Sequence, residues 1–166
     1  MPEKRTIQRA RKDKREGKAP STQAGEFVHE EMKHIREGKH GARSTKQAIA
    51  IGLSKARRAG VDLPPPAEGS TSEKTRHSAE SAYRAGHEGH HEVSRTRSRA
   101  TRQALKREGR AAASKKALAR QAHSAAAKKP ASARSAAARK AAATKGATGR
   151  SAAAKKAART RSRKAA

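Results

Sequence analysis

Cysteine and tryptophan are absent from this chain of 166 residues, and phenylalanine and tyrosine occur once each, as Phe27 and Tyr83. Without cysteine there is no disulfide framework and no thiolate metal site, and the redox compartment is left open. Two aromatics cannot build the stacking platform on which single-stranded nucleic acids are read. No apolar run approaches the length of a membrane-spanning helix. The basic stretches carry no Leu, Trp or Phe face for an interfacial helix to insert. The N-terminus lacks the apolar centre of a secretory signal, so a cytoplasmic location is expected. A Gly-rich phosphate loop is missing, as is a serine nucleophile with an obvious base. The chain is therefore read as a non-enzyme that needs no cofactor. Acidic residues are missing from the whole final third, the last of the 14 being Glu108.

What the chain has instead is positive charge: 42 Lys and Arg, a formal net charge of +28 and a pI near 11.7. Residues 109–166 hold 17 of those cations and 25 alanines. Self-repulsion and a lack of buriable side chains favour an open segment until a polyanion neutralises it. The phrases Ser124-Ala-Ala-Ala-Lys-Lys, Ser135-Ala-Ala-Ala-Arg-Lys and Ser151-Ala-Ala-Ala-Lys-Lys recur at uneven spacing, which marks low complexity rather than a solenoid. Pro130, Gly146 and Gly149 divide the tail into pieces too short to be stable helices alone. The expected fold is all-α and largely disordered, a short αα-hairpin with isolated basic helices and no β-sheet.

In order, residues 1–20 read as a basic arm. Only Ile7 and Ala10 are apolar, too few for a buried stripe, so a solvated arm or a second phosphate-contacting arm is expected. Residues 21–63 read as a helical hairpin. Ser21 or Thr22 would cap its first helix, and Glu26, Glu30 and Glu31 would favour the positive end of the dipole. Gly38 would stop it. Ser44-Thr45-Lys46-Gln47 is a capping box that opens the second helix. The expected core is Phe27, Val28, Met32, Ile35, Ile49 and Leu53. Gly52 on the inner face suggests a close helix approach. A core this small implies self-association, docking of a third helix or ordering on a partner. Residues 64–70 are a Pro-rich linker. Residues 71–108 are a polar and basic helical segment with a His-rich break, Ala79, Ala82 and Tyr83 marking its inner face. Residues 109–166 are the tail.

The tail, with its Ala-Ala-Ala-Lys-Lys phrases and Lys128-Lys129-Pro130-Ala131, resembles the carboxy-terminal tails of linker histones and histone-like bacterial proteins. The stretch from Gly25-Glu26-Phe27-Val28 through Lys46-Gln47-Ala48-Ile49-Ala50-Ile51-Gly52-Leu53-Ser54-Lys55-Ala56 resembles a family of small basic bacterial proteins labelled DNA-binding or plasmid-stabilisation proteins. That resemblance implies a nucleic-acid role and carries over no catalytic residue.

His87-Glu88-Gly89-His90-His91 matches H-E-x-x-H, the spacing of a zinc peptidase helix. Glycines interrupt it, and it reads as a polar linker rather than a metal site. His29, His34 and His40 read as exposed residues of the first hairpin helix. Lys39, Arg43, Lys46, Lys55, Arg57 and Arg58 cluster near the hairpin's loop and second-helix ends, where helix-dipole complement and phosphate contact are equally good readings. The leading expectation is sequence-independent binding and compaction of duplex DNA in the nucleoid, with RNA as a second polyanion. The expected contacts are Lys115, Lys116, Lys128, Lys129, Arg139, Lys140, Lys155, Lys156, Arg159, Arg161, Arg163 and Lys164. The competing expectation is a plasmid-maintenance or interaction protein whose hairpin binds a protein partner.

Overall fold

The computed structural model describes residues 2–89 and 94–165. Among these every regular element is helical: α1 (Lys4–Arg15), α2 (Pro20–Arg36), α3 (Thr45–Arg58), α4 (Glu73–His87), α5 (Arg95–Arg107), a 3-10 turn (Ala111–Ala113), α6 (Lys115–Ala127) and α7 (Ala131–Ala165). The chain divides into two compact units, Met1–Gln121 and Ala122–Ala166.

The hairpin α2–α3 is the frame of the first unit. Pro20 stands at the first turn of α2 after an Ala19 N-cap, so the cap falls two residues before the expected Ser21. Proline suits this position because its missing N–H would be unpaired there anyway. Gly38, at φ 77°, turns the chain out of α2. Ser44 then caps α3 by accepting from the Gln47 N–H, while the Gln47 side chain accepts from the Arg43 N–H at 2.8 Å. Phe27, Met32 and Ile35 are buried, whereas Val28, Ile49 and Leu53 are partly buried against them. The two helices are in near-backbone contact at Gly52, where a Cβ would lie 2.7 Å from Val28 Cα.

Three additions complete this small core. The N-terminal arm is not a free segment: α1 lies on α2 with Thr6, Ala10 and Asp13 buried and Ile7 packed beside Phe27's cluster, its cations facing water. Those residues follow an i, i+4, i+7 pattern of small side chains, which lets a highly charged helix come close. Arg9 then pairs with Glu26 at 2.7 Å across the seam. On another side α4 docks on α3 through Ala79 and Ala82, capped at its start by Ser72. Tyr83 is half-buried, donates to Asp62 at 2.6 Å and stacks on His87 at 4.0 Å. Finally the 3-10 turn inserts Ala112 and Ala113 beside Ile35 and Ala48. Thr45 donates to the Ala112 carbonyl at 2.7 Å and Arg36 to that of Ala113 at 2.8 Å. The folded unit thus continues beyond residue 108, where composition alone starts the tail.

The expectation of a largely disordered chain is corrected here. Helices α1 to α4 and the 3-10 turn gain order from tertiary packing. The second unit is helical for a local reason: alanine, lysine and arginine have high intrinsic helix preferences, and here they form α7 with no buried side chain among the described residues. Gly146, at φ 65° and ψ 176°, breaks α7 into two helical runs.

Candidate nucleic-acid interface and a buried Glu–His cluster

The expected phosphate contacts lie where water reaches them. Lys115, Lys116, Lys128, Lys129, Arg139, Lys140, Lys155, Lys156, Arg159, Arg161 and Arg163 are all exposed. The side chain of Lys164 lies outside the described residues. In the second unit 13 of 45 residues are Lys or Arg and none is acidic. On a helix of 100° per residue, 155, 156, 159 and 163 share an arc of about 100°, and 150 and 161 lie on the other side of the axis.

A more directed set of cations sits on α5. Arg95, Arg99, Arg102 and Lys106 stand at i, i+4, i+7 and i+11, which aligns them on one exposed face along about 16 Å of helix. The C-terminal end of α5 is tied to the hairpin loop by Gly41 N–H to Leu105 O, 2.8 Å, and Ala42 N–H to Gly109 O, 3.1 Å. No side chain fits at residue 41, where a Cβ would lie 1.9 Å from the Glu108 carbonyl oxygen. The row was already legible in the sequence, since the spacing needs only a helix; it is masked there by Arg97 and Arg107, which fall off the face.

The hairpin's own cations are largely committed to internal partners. Arg57 is buried and donates to the carbonyls of Leu63 and Pro64, at 3.0 and 3.1 Å, and burial pushes its guanidinium pKa down. Lys39 pairs with Glu3 and Glu37. Lys55 pairs with Glu31 at 2.6 Å. Arg43, Lys46 and Arg58 remain exposed.

The acidic residues of α2 do not serve its dipole. Glu30 and Glu31 lie in its second half and are buried, with 2% and 0% exposure. Glu30 accepts the Glu3 N–H at 3.2 Å. The reading of His34 and His40 as exposed is also corrected. His29 is exposed, but His34 is buried and donates from Nε2 to Glu3 at 2.9 Å. That bond, with a second from Lys39, holds the Glu3 carboxyl at about 2, below the usual 4.5. His40 is half-buried, and its Nδ1 donates to the Gly41 carbonyl at 3.0 Å. One donor atom each from Glu31, His34 and His40 can be chosen so that all three lie within 4.8 Å of one another. Of the H-E-x-x-H residues, His87 ends α4 and Glu88 caps it, while His90 and His91 lie outside the described residues.

Fold and surface together define a strongly basic protein, helical in all its regular elements among the described residues, with a first unit built on four packed helices and a second, cationic helical unit. Among the described residues no helix is long and apolar enough to cross a membrane. The model of a family of unknown function, DUF6496, matches residues 11–66, from within α1 through α3 to the prolines. No curated protein and no solved structure matches the chain.

Proposed function

We propose that this is a non-enzymatic, nucleoid-associated protein that binds and compacts duplex DNA with little regard to sequence. The observation that carries the reading is the second unit, where exposed cations meet no acidic side chain. Released counterions supply the free energy, and screened phosphates let duplexes approach or bend. The row on α5 adds cations held on a folded frame. The cations of α7 stand exposed with no acidic neighbour in sequence, which favours contacts to phosphate.

A salt-titrated gel shift on duplex DNA tests this, comparing the full chain with residues 1–121. If about ten phosphates are neutralised, the log–log salt slope is near −9 for the full chain. Removing residues 122–166 should flatten the slope and abolish compaction. Binding that persists undiminished in molar sodium chloride, or that survives the truncation intact, would overturn the proposal. Competition with structured RNA at matched salt separates DNA from RNA preference.

A further inference from the structure

The geometry points to a divalent transition-metal site of the zinc type built by Glu31, His34 and His40. Glu31 is fully buried, and its two oxygens have different surroundings. Oε2 takes the Lys55 ammonium at 2.6 Å. Oε1 is buried with no hydrogen-bond partner, although His40 Nε2 lies only 3.2 Å away. A carboxylate oxygen left this way is costly unless something else satisfies it.

The tautomer of His40 says what that something is. Its Nδ1 faces the Gly41 carbonyl at 3.0 Å, and a carbonyl can only accept, so Nδ1 carries the proton. In the neutral ring Nε2 is then a lone pair facing a carboxylate. The 3.2 Å approach of Nε2 to Oε1 is not a hydrogen bond. A metal ion satisfies both atoms from a point off the line joining them. Tetrahedral bonds of roughly 2.0–2.1 Å set two such donors about 3.3 Å apart, close to the 3.2 Å found.

His34 completes the set from one helical turn beyond Glu31, and its Nε2–H on Glu3 leaves Nδ1 as its unprotonated nitrogen. One nitrogen of His34 lies within 4.8 Å of donor atoms of both Glu31 and His40, so the third bond needs a rotation of the His34 side chain. Each ligand already has the outer partner that metal ligands use: a carboxylate on His34, a carbonyl on His40, an ammonium on the second oxygen of Glu31. Two histidines and a carboxylate suit Zn²⁺ or Co²⁺ and leave a fourth position for water. His40 also lines an open cleft of ≈ 610 Å³, which gives the ion a route from solvent. The bound ion would clamp α2 to the loop that receives α5.

The test uses the full chain carrying His87→Asn, His90→Asn and His91→Asn, which removes the rival histidine run. Zn²⁺ is titrated calorimetrically and Co²⁺ by its visible absorption. The expected result is one equivalent bound, tetrahedral Co²⁺ bands, and a melting temperature raised by Zn²⁺ and restored by chelator. His40→Asn, in the loop, and Glu31→Gln each weaken binding by at least about tenfold. Helical circular dichroism of His40→Asn shows that folding is intact even where Glu31→Gln fails. No saturable uptake by this chain, or uptake that His40→Asn leaves unchanged, overturns the assignment.

Discussion

Replacing Gly52 by alanine tests the packing at the heart of the hairpin, and Gly25 supplies the control. Both glycines lie inside helices of the same pair. At Gly25 a Cβ meets nothing within 4 Å, so alanine brings only its better helix preference, a gain of about 0.5–1 kcal/mol. At Gly52 the Cβ would stand 2.7 Å from Val28 Cα and 3.0 Å from its N and Cγ2. Two of those atoms are backbone, so no rotamer change relieves the overlap and the helices must part. Such overpacking costs about 1–3 kcal/mol, against the same propensity gain. The two variants should therefore differ by about 1–3 kcal/mol, with Gly25→Ala above the parent protein and Gly52→Ala below Gly25→Ala. At roughly 4–5 °C per kcal/mol for a unit of this size, their melting temperatures separate by about 5–15 °C. Thermal unfolding followed by helical circular dichroism reads this directly. A Gly52→Ala protein that melts with or above Gly25→Ala would refute the close approach of α2 and α3.

Other outcomes follow from single contacts. Thr45→Val removes the donor to the buried Ala112 carbonyl and should cost about 1–3 kcal/mol in chemical unfolding, whereas Thr71→Val, on the exposed turn before α4, should change little. Truncation after residue 108 should unfold more readily than truncation after 121, because the first removes Ala112, Ala113 and the Arg36 contact; equal midpoints would show that the turn does not stabilise the hairpin. Tyr83 is the only tyrosine, so tyrosinate absorbance titrates it alone. Its hydrogen bond to Asp62 raises its pKa above 10.0, and stabilisation from this bond is present below that value and lost as pH rises through the higher folded one. Asp62→Asn should return the midpoint toward the ordinary value. Substituting Arg95, Arg99, Arg102 and Lys106 together by glutamine should shallow the salt slope of duplex binding by up to about 4, while four glutamines placed at Arg5, Arg11, Lys14 and Arg15 of α1 report whether any four cations serve as well.

The helices of the hairpin were legible because their signals are local. A capping Ser44 with Gln47, a glycine after Glu37 and an apolar stripe through Val28, Met32 and Ile35 act within a few residues of one another. The exposure of the tail cations was legible as well, since nothing in that composition can bury them. Three other features were not. Thr6, Ala10 and Asp13 make α1 a packing helix only because α2 offers a matching surface. Ala112 and Ala113 are indistinguishable in sequence from the exposed alanines that follow; the Thr45 and Arg36 donors select them. Glu31, His34, His40 and Lys55 come from two helices and a loop, and only folding joins them. Sequence alone thus determined what local backbone preference and net charge can determine: where the hairpin's first helix stops and its second starts, and which stretch concentrates positive charge. Tertiary structure decided which small or charged residues leave water, because burial depends on a partner surface that lies far along the chain.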